Sequence, residues 1–368
     1  MKKIMFLLLM FSSFLFGTTI EKGFEYFKKG NYIAAFDVLV DKLNNDKNIN
    51  KIVRFLEKSC QDDNYYGCAG LAGIYAKKDK ARAFNLADKA CKHNNYYGCV
   101  VLGMFYKYGI GVNKNEKKYF QLINKASVLA GKECKKGNVD SCLAIAVAYA
   151  NGSLIRRDYN KAIKFYEKAC KNGDQNICML LGLVYEDKFI HIRRIIYKLF
   201  KSEYEFYYHI VNDVKNSIES PDYKKSINFY NIACQNGKVI ACYQIGRLYQ
   251  SKLHNNREAR KYFEKSIELL KEECKRGKGK VCYKIADIYK LNLQNKKKAN
   301  KFYKKSIEIF DTECKNNNAK KCALLGVIYK KGLGVKVDHK KAQYYFDRVC
   351  KIDKNLCKDI KMMYFFER

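Results

Sequence analysis

The sequence predicts an all-α fold, a right-handed α-solenoid built from stacked helix-turn-helix repeats. The sixteen cysteines fall into eight pairs, of which seven have seven intervening residues and the last has six. Such regular spacing marks an internal repeat, and a repeat decides the architecture before any other motif does. A single proline in 368 residues disfavours a loop-rich β fold, and an apolar content of 48% supplies enough material for a core.

The first helix of each repeat, helix A, is predicted from the residues that follow the second cysteine of each pair. Leu or Ile stands three residues on, and Ala or Gly stands four residues on in the first seven repeats. A tyrosine stands seven residues on in every repeat: Tyr75, Tyr106, Tyr149, Tyr185, Tyr249, Tyr289, Tyr329 and Tyr364. These spacings lie on one face of a helix, where the small residue lets a second helix approach closely. Strict recurrence of the tyrosine favours core packing over a row of rings open to a ligand.

The second helix, helix B, is predicted to end at a turn just after the first cysteine of the next pair. The third residue after that cysteine is always a type that tolerates a left-handed backbone: Asp63, Asn94, Gly137, Gly173, Gly237, Gly277, Asn317 or Asp353. Helix B is seven residues longer before Cys134, Cys274 and Cys314. Seven residues are two helical turns, so the longer segments keep the same face toward the core.

The segment from Cys322 to Cys350 is the plainest copy of the repeat. Its landmarks are Leu325, Gly326, Tyr329, Gly332, Gly334, Val335, Lys341 and Ala342, with Asp338 as the predicted N-cap of helix B. The pattern resembles the Sel1-like repeat, a relative of the tetratricopeptide repeat. With a cysteine pair across every turn, the chain from Cys60 to Cys357 is similar to the secreted helicobacter cysteine-rich protein family.

The resemblance implies one structural disulfide per repeat. The predicted bridges are Cys60–Cys68, Cys91–Cys99, Cys134–Cys142, Cys170–Cys178, Cys234–Cys242, Cys274–Cys282, Cys314–Cys322 and Cys350–Cys357. A metal site needs cysteines two to four residues apart, and the sequence has neither that spacing nor a C-x-x-C redox motif. Free or regulatory thiols are the alternative.

The termini predict export and capping. Residues 1–17 have the layout of a cleavable signal peptide, with Lys2 and Lys3 ahead of an apolar run; an uncleaved anchor is the alternative. Residues 18–59 are expected to form an N-terminal helical cap, 60–357 the repeat solenoid, and 358–368 a C-terminal capping helix. Because no later stretch reaches the length of a membrane span, we expect a secreted or periplasmic protein without a transmembrane segment.

One interruption breaks the repeat pattern, at residues 186–221. The loop there is 28 residues longer than the standard thirteen and mixes apolar residues with Arg193, Arg194, Lys198 and Lys201. It is either a functional insertion that docks a partner or a membrane surface, or a degenerate repeat that lost its cysteines. The second interpretation is favoured, because 28 residues suffice for two short helices.

The predicted function is binding of a protein or peptide partner on the concave face of the solenoid, which helix A lines. The resemblance also implies β-lactam binding or weak β-lactamase activity. However, no serine has a lysine three residues later, and S-D-N and K-T-G elements are absent. The five histidines, His93, His191, His209, His254 and His339, are scattered. We therefore predict no catalytic, cofactor-binding or metal-binding residue.

The charge gives a second alternative, which is binding to polyanions or to the cell envelope. The chain carries 72 Lys and Arg against 37 Asp and Glu, a net charge of +35, and removal of Lys2 and Lys3 leaves +33. Outside the cytoplasm such a charge attracts acidic envelope or host components. Nucleic acid is not an expected partner, and the protein is expected to be a monomer.

Overall fold

The computed structural model describes residues 19–44, 46–152, 155–186 and 220–365, and within these ranges all regular structure is helical. The chain divides into two compact units, one ending at Ile232 and the other beginning at Ala233. The predicted signal peptide lies outside the described residues, as does nearly all of the 186–221 interruption.

The first unit consists of consecutive helices, and the division from the second unit falls within the last of them. In chain order they are α1 (Ile20–Lys28), α2 (Tyr32–Asp41), α3 (Asp46–Gln61), α4 (Tyr65–Tyr75), α5 (Lys80–Lys92), α6 (Tyr96–Tyr108), α7 (Glu116–Lys135), α8 (Val139–Asn151), α9 (Tyr159–Lys171), α10 (Gln175–Tyr185) and α11 (Tyr223–Gln235).

The second unit continues the same alternation of helix A and helix B. Its helices are α12 (Val239–Ser251), α13 (Asn256–Lys275), α14 (Gly279–Asp287), α15 (Lys296–Lys315), α16 (Ala319–Lys331), α17 (His339–Ile352) and α18 (Lys354–Phe365). A π-helical turn, Ile288–Asn292, extends α14.

The cysteine pairs mark the turns between repeats, as predicted. Every helix A begins three residues before the second cysteine of its pair, as α14 does before Cys282. Helix B ends one residue after the first cysteine in all but the last repeat, as α13 does after Cys274. The three long B helices, α7, α13 and α15, have 20 residues, whereas α5, α9 and α11 have 13. The difference of seven confirms the insertion of two whole turns.

The left-handed residue predicted after each first cysteine is present in seven of the eight turns. Its φ angle lies between 60° and 114° at Asp63, Asn94, Gly137, Gly173, Gly237, Gly277 and Asn317. The prediction is wrong for Asp353, which has a φ of −141°. The last cysteine pair is one residue closer, so this turn lacks the left-handed position, and the Asp353 carboxylate instead accepts the N–H groups of Asn355 and Leu356 as the N-cap of α18.

The core is formed where an aromatic side chain of helix B packs against the small residue of helix A. A Cβ atom added at Gly246 in α12 would lie 2.7 Å from the Phe263 ring of α13, and the Phe346 ring of α17 covers Gly326 in the same way. Phe263 is fully buried, and burying such a ring is worth about 1.5–3 kcal/mol. The predicted close approach of the two helices is therefore confirmed at these positions.

All sixteen cysteines form the eight predicted disulfides, one at each turn. The Cα atoms of the bridged residues are 4.4–4.9 Å apart, within the normal range for a disulfide. The structure contains no free cysteine. Each bridge ties the end of one helix B to the start of the next helix A and closes a loop of about nine residues.

Removing one internal bridge with the substitutions Cys274→Ala and Cys282→Ala is expected to lower the free energy of unfolding by about 2.5 kcal/mol. The loss follows from the larger entropy of the unfolded chain once the loop is open. Urea denaturation of the variant and the parent protein measures it. The equivalent variant at Cys170 and Cys178 opens a loop of the same size and should lose a similar amount. A large loss at only one bridge would show that local packing, not loop closure, sets the stabilisation.

Candidate binding surface

The recurrent tyrosine at the end of helix A anchors the start of helix B. In the first seven repeats its backbone carbonyl accepts the N–H of the residue that caps helix B. The donors are Asp79, Asn115, Asp158, Asp222, Asn255, Asn295 and Asp338, at N···O distances of 2.8–3.0 Å. The same cap side chain accepts the N–H of the third helical residue, so one residue joins both helices.

The ring of this tyrosine packs between an aromatic ring and a cation. In the last full repeat the Tyr329 ring stacks on Tyr345, with centroids 5.6 Å apart, and the Lys341 ammonium lies 5.3 Å from its centroid. The Asp338 side chain caps α17 as predicted, by accepting the N–H of Lys341. Equivalent stacks occur at Tyr149, Tyr185 and Tyr289, and burial raises the pKa of the Tyr185 and Tyr289 hydroxyls. These rings therefore hold helix pairs together.

Replacing Tyr329 with Leu is expected to lower the free energy of unfolding by about 1–2 kcal/mol, because both the stacked pair and the cation–π contact are lost. Tyr329→Phe keeps the ring and should cost less than about 0.5 kcal/mol. Urea denaturation of both variants measures the two losses. Equal losses would show that the hydroxyl, and not the ring, carries the contact.

The G-x-G loop after α16 packs on the helix B of the preceding repeat. Gly332 ends α16 in the left-handed conformation with a φ of 62°. Gly334 has a φ of 74°, and a Cβ atom there would overlap the Cβ of Tyr303 and lie 3.2 Å from the Asn300 carbonyl oxygen on α15. The second glycine of this motif is thus required both by its backbone angle and by contact with the neighbouring repeat.

Gly334→Ala is expected to destabilise the protein by about 2–4 kcal/mol, since it adds overlap with α15 to the strain of a left-handed backbone. Gly277→Ala is the matched control. That residue has a φ of 82° but nothing within 4 Å of an added Cβ, so only the backbone strain of about 1–2 kcal/mol applies. Thermal unfolding of both variants tests the difference, and equal shifts would contradict the packing role of Gly334.

A buried polar cluster links three successive repeats of the first unit. The Glu133 carboxylate on α7 accepts hydrogen bonds from the Tyr66 hydroxyl on α4, at 3.0 Å, and from the Ser141 hydroxyl on α8, at 2.8 Å. Burial raises the pKa of Tyr66 and of the neighbouring Tyr96 far above the usual range. Both tyrosines therefore stay protonated, and the hydrogen bond that Tyr66 donates to Glu133 makes the cluster a structural tie.

Two open cavities lie beside B helices. In the first unit, a cavity of about 600 Å³ is lined by Val128 and by the basic residues Arg156, Arg157 and Lys161. In the second unit, a cavity of about 380 Å³ lies between α15 and two loops. Its lining residues are Lys290, Gln294, Lys296, Ala299, Asn300, Tyr303, Gly332, Leu333 and Gly334. The first lining includes one carboxylate, that of Asp158, and the second lining includes none.

The basic charge is concentrated in the second unit, which the composition of the whole chain does not indicate. Residues 233–368 hold 34 of the 72 Lys and Arg but only 14 of the 37 Asp and Glu. Between Asp287 and Glu308 there are seven lysines and no acidic residue. This run could have been found in the sequence by comparing the charges of successive repeats at equivalent positions.

The predicted site residues, which are the sixteen cysteines, lie one pair at each turn and do not form a common site. Within the described ranges, no group of three or more His, Cys, Asp or Glu side chains is close enough together to hold a metal ion. In the same ranges, no helix is both long enough and apolar enough to cross a membrane.

Comparison with known families identifies the repeat. Five segments match the Sel1 repeat, at residues 63–95, 97–127, 139–174, 217–238 and 322–351, and two match the tetratricopeptide repeat, at residues 239–269 and 279–312. The chain is a Sel1-like repeat protein. The two tetratricopeptide matches lie in α12–α13 and α14–α15, two of the pairs whose connecting loops are too short for a G-x-G motif. None of the curated proteins matches the sequence.

The chain is also similar to several solved structures at low sequence identity. A Sel1 repeat protein from Oxalobacter formigenes is 17% identical, with 98% of this chain and 93% of that chain covered and a TM-score of 0.38. The protective antigen c5321 of uropathogenic Escherichia coli, which displays an SLR fold, is 17% identical, with 91% and 79% covered and a TM-score of 0.27. The immunity protein Pa5087 of Pseudomonas aeruginosa is 14% identical, with 78% and 82% covered and a TM-score of 0.21.

Proposed function

We propose that the protein is an exported scaffold that holds a protein or peptide partner on the surface of its stacked helices. The observation that carries the proposal is the repeat array itself, in which Sel1 and tetratricopeptide repeats are bridged by a disulfide at every turn. Repeat scaffolds of this kind typically serve protein–protein interaction, because their stacked helices offer an extended surface.

Helix A supplies apolar contact points for such a partner. Ile240 on α12 is 44% exposed, and Leu324 and Val327 on α16 are half-buried at the edge of the core. Partly exposed apolar side chains on a rigid element lose little conformational entropy on binding. They therefore support the predicted partner surface on the first helix of each repeat.

Export fits the cysteine chemistry and the N-terminal sequence. Eight disulfides persist in a secreted or periplasmic protein and are rare in a reducing cytosol. The lysines and the apolar run of residues 1–17 have the layout of a secretory signal. On this proposal the mature chain begins near residue 18 and binds its partner outside the cytoplasm.

The proposal is tested by affinity capture with the oxidised protein immobilised on a resin. We expect one partner from an envelope extract to bind saturably at about 0.15 M salt and to be displaced by an excess of the same protein in solution. Charge-driven adsorption of many proteins would instead disappear in about 1 M salt and would not saturate.

The matched control is the same protein after reduction and alkylation under denaturing conditions, which has the same charge but lacks the repeat fold. Capture of the same proteins by the folded and the unfolded resin would contradict the scaffold proposal. Mass spectrometry of the secreted protein tests export separately, since an N-terminus at residue 1 in purified periplasmic or culture fractions would contradict signal cleavage.

A further inference from the structure

The outer face of α15 carries a dense row of lysines, which we call the lysine face. Its members are Lys297, Lys298, Lys301, Lys304 and Lys305. On a helix of 3.6 residues per turn these positions span an arc of about 120°, centred opposite the buried residues Ala299, Tyr303, Ser306 and Phe310. None of the five forms an ion pair with a described residue, and Lys298 alone has a cation–π contact, with Tyr289.

This charge does not stabilise the helix that carries it. Lysines four residues apart, such as Lys297 and Lys301, repel each other, and positive charge in the first turn opposes the helix dipole. The preceding repeat has the same basic row, Arg257, Lys261 and Lys265, but places acidic residues beside it. Its helix α13 has the same length and the same place in the repeat, yet it has Glu258 and Glu264 where α15 has Lys298 and Lys304.

The cavity of about 380 Å³ lies at the edge of the lysine face and adds further basic side chains to it. Lys290 and Lys296 line it together with the amide side chains Gln294 and Asn300, and no carboxylate is among its lining residues. Asp287, the nearest acid along the chain, accepts a hydrogen bond from the Tyr303 hydroxyl. Side-chain amides both donate and accept hydrogen bonds, as a peptide backbone does, whereas phosphate and sulfate oxygens of a polyanion only accept.

The spacing of the lysines favours an extended polypeptide. Lys297, Lys301 and Lys305 follow one another at intervals of about 6 Å along the helix axis. In an extended chain, side chains on the same face recur about every 6.6 Å. Carboxylates at alternate residues can therefore meet successive lysines, while the backbone of the same peptide reaches the amides of the cavity.

We propose that the lysine face and the adjoining cavity bind an extended acidic segment of a protein partner, with acidic residues at alternate positions. This inference rests on the proposed scaffold function and specifies its partner. It places the contact on the helix B side of the second unit, in addition to the helix A surface predicted from the sequence. Electrostatic complementarity of this kind sets the association rate and the choice of partner.

The test uses the full oxidised chain and a fluorescein-labelled twelve-residue peptide with Glu at alternate positions, measured by fluorescence anisotropy. The variant Lys298→Glu with Lys304→Glu introduces the residues that α13 has at the same places. A glutamate at position 298 also completes a capping box with Asn295, so the variant is expected to fold. We expect it to weaken peptide binding about tenfold or more at about 0.1 M salt.

The matched control is Arg257→Glu with Lys261→Glu, which makes the same change in net charge on α13. We expect it to weaken binding by no more than about twofold. Equal loss in the two variants would overturn the site, because the peptide would then respond only to total charge. A sulfated oligosaccharide or phosphatidylglycerol vesicles that bind more tightly than the peptide and lose that binding in the α15 variant would overturn the assignment to a polypeptide.

Affinity capture with the same α15 variant separates this inference from the scaffold function. If the partner from envelope extract binds the parent protein and the variant equally, the lysine face is not its site, although the scaffold function stands. If the parent protein captures no saturable partner, the scaffold function itself fails.

Discussion

The fold depends on the contact between an aromatic ring of helix B and a residue without a bulky side chain on helix A. At Gly246 and Gly326 the rings of Phe263 and Phe346 occupy the place that a side chain would fill. One helix pair cannot bury both of its apolar sides, so each pair needs a neighbour, and stability accumulates along the array. The rest of the repeat orients this contact, through the tyrosine at the end of helix A and the disulfide at the turn between repeats.

The number of residues between the two cysteines of a pair sets the geometry of the turn between repeats. A helix ends one residue after the first cysteine, a left-handed residue reverses the chain, and the next helix begins three residues before the second cysteine. When one residue is missing, as between Cys350 and Cys357, the left-handed position is lost and Asp353 joins the two helices directly. The disulfide is kept in both cases because the Cα atoms stay within bonding range, at 4.4–4.9 Å across all eight pairs.

The outer face of helix B is free of these constraints, and there the repeats differ most. Helices α13 and α15 have equivalent cores, with Phe263 and Tyr303 buried at matching positions. Their exposed faces nevertheless differ. Helix α13 has both acidic and basic residues there, whereas the charged residues in the first half of α15 are all lysines. A surface that the core does not restrict can change its charge without loss of the fold, which is why a binding specificity can reside there.

The helical class, the repeat boundaries and the lengthening of three B helices can be predicted from the sequence, because each depends on spacing along the chain. The sequence placed the recurrent tyrosines in the packing between helices but could not show their partners, since Tyr345 and Lys341 meet Tyr329 only after helix B folds back. The contact of Gly334 with Asn300 and Tyr303 of another repeat is visible only once the helices are stacked in the folded protein. The same stacking brings Lys290 and Lys296 to one cavity, because contacts between repeats depend on how successive helix pairs stack.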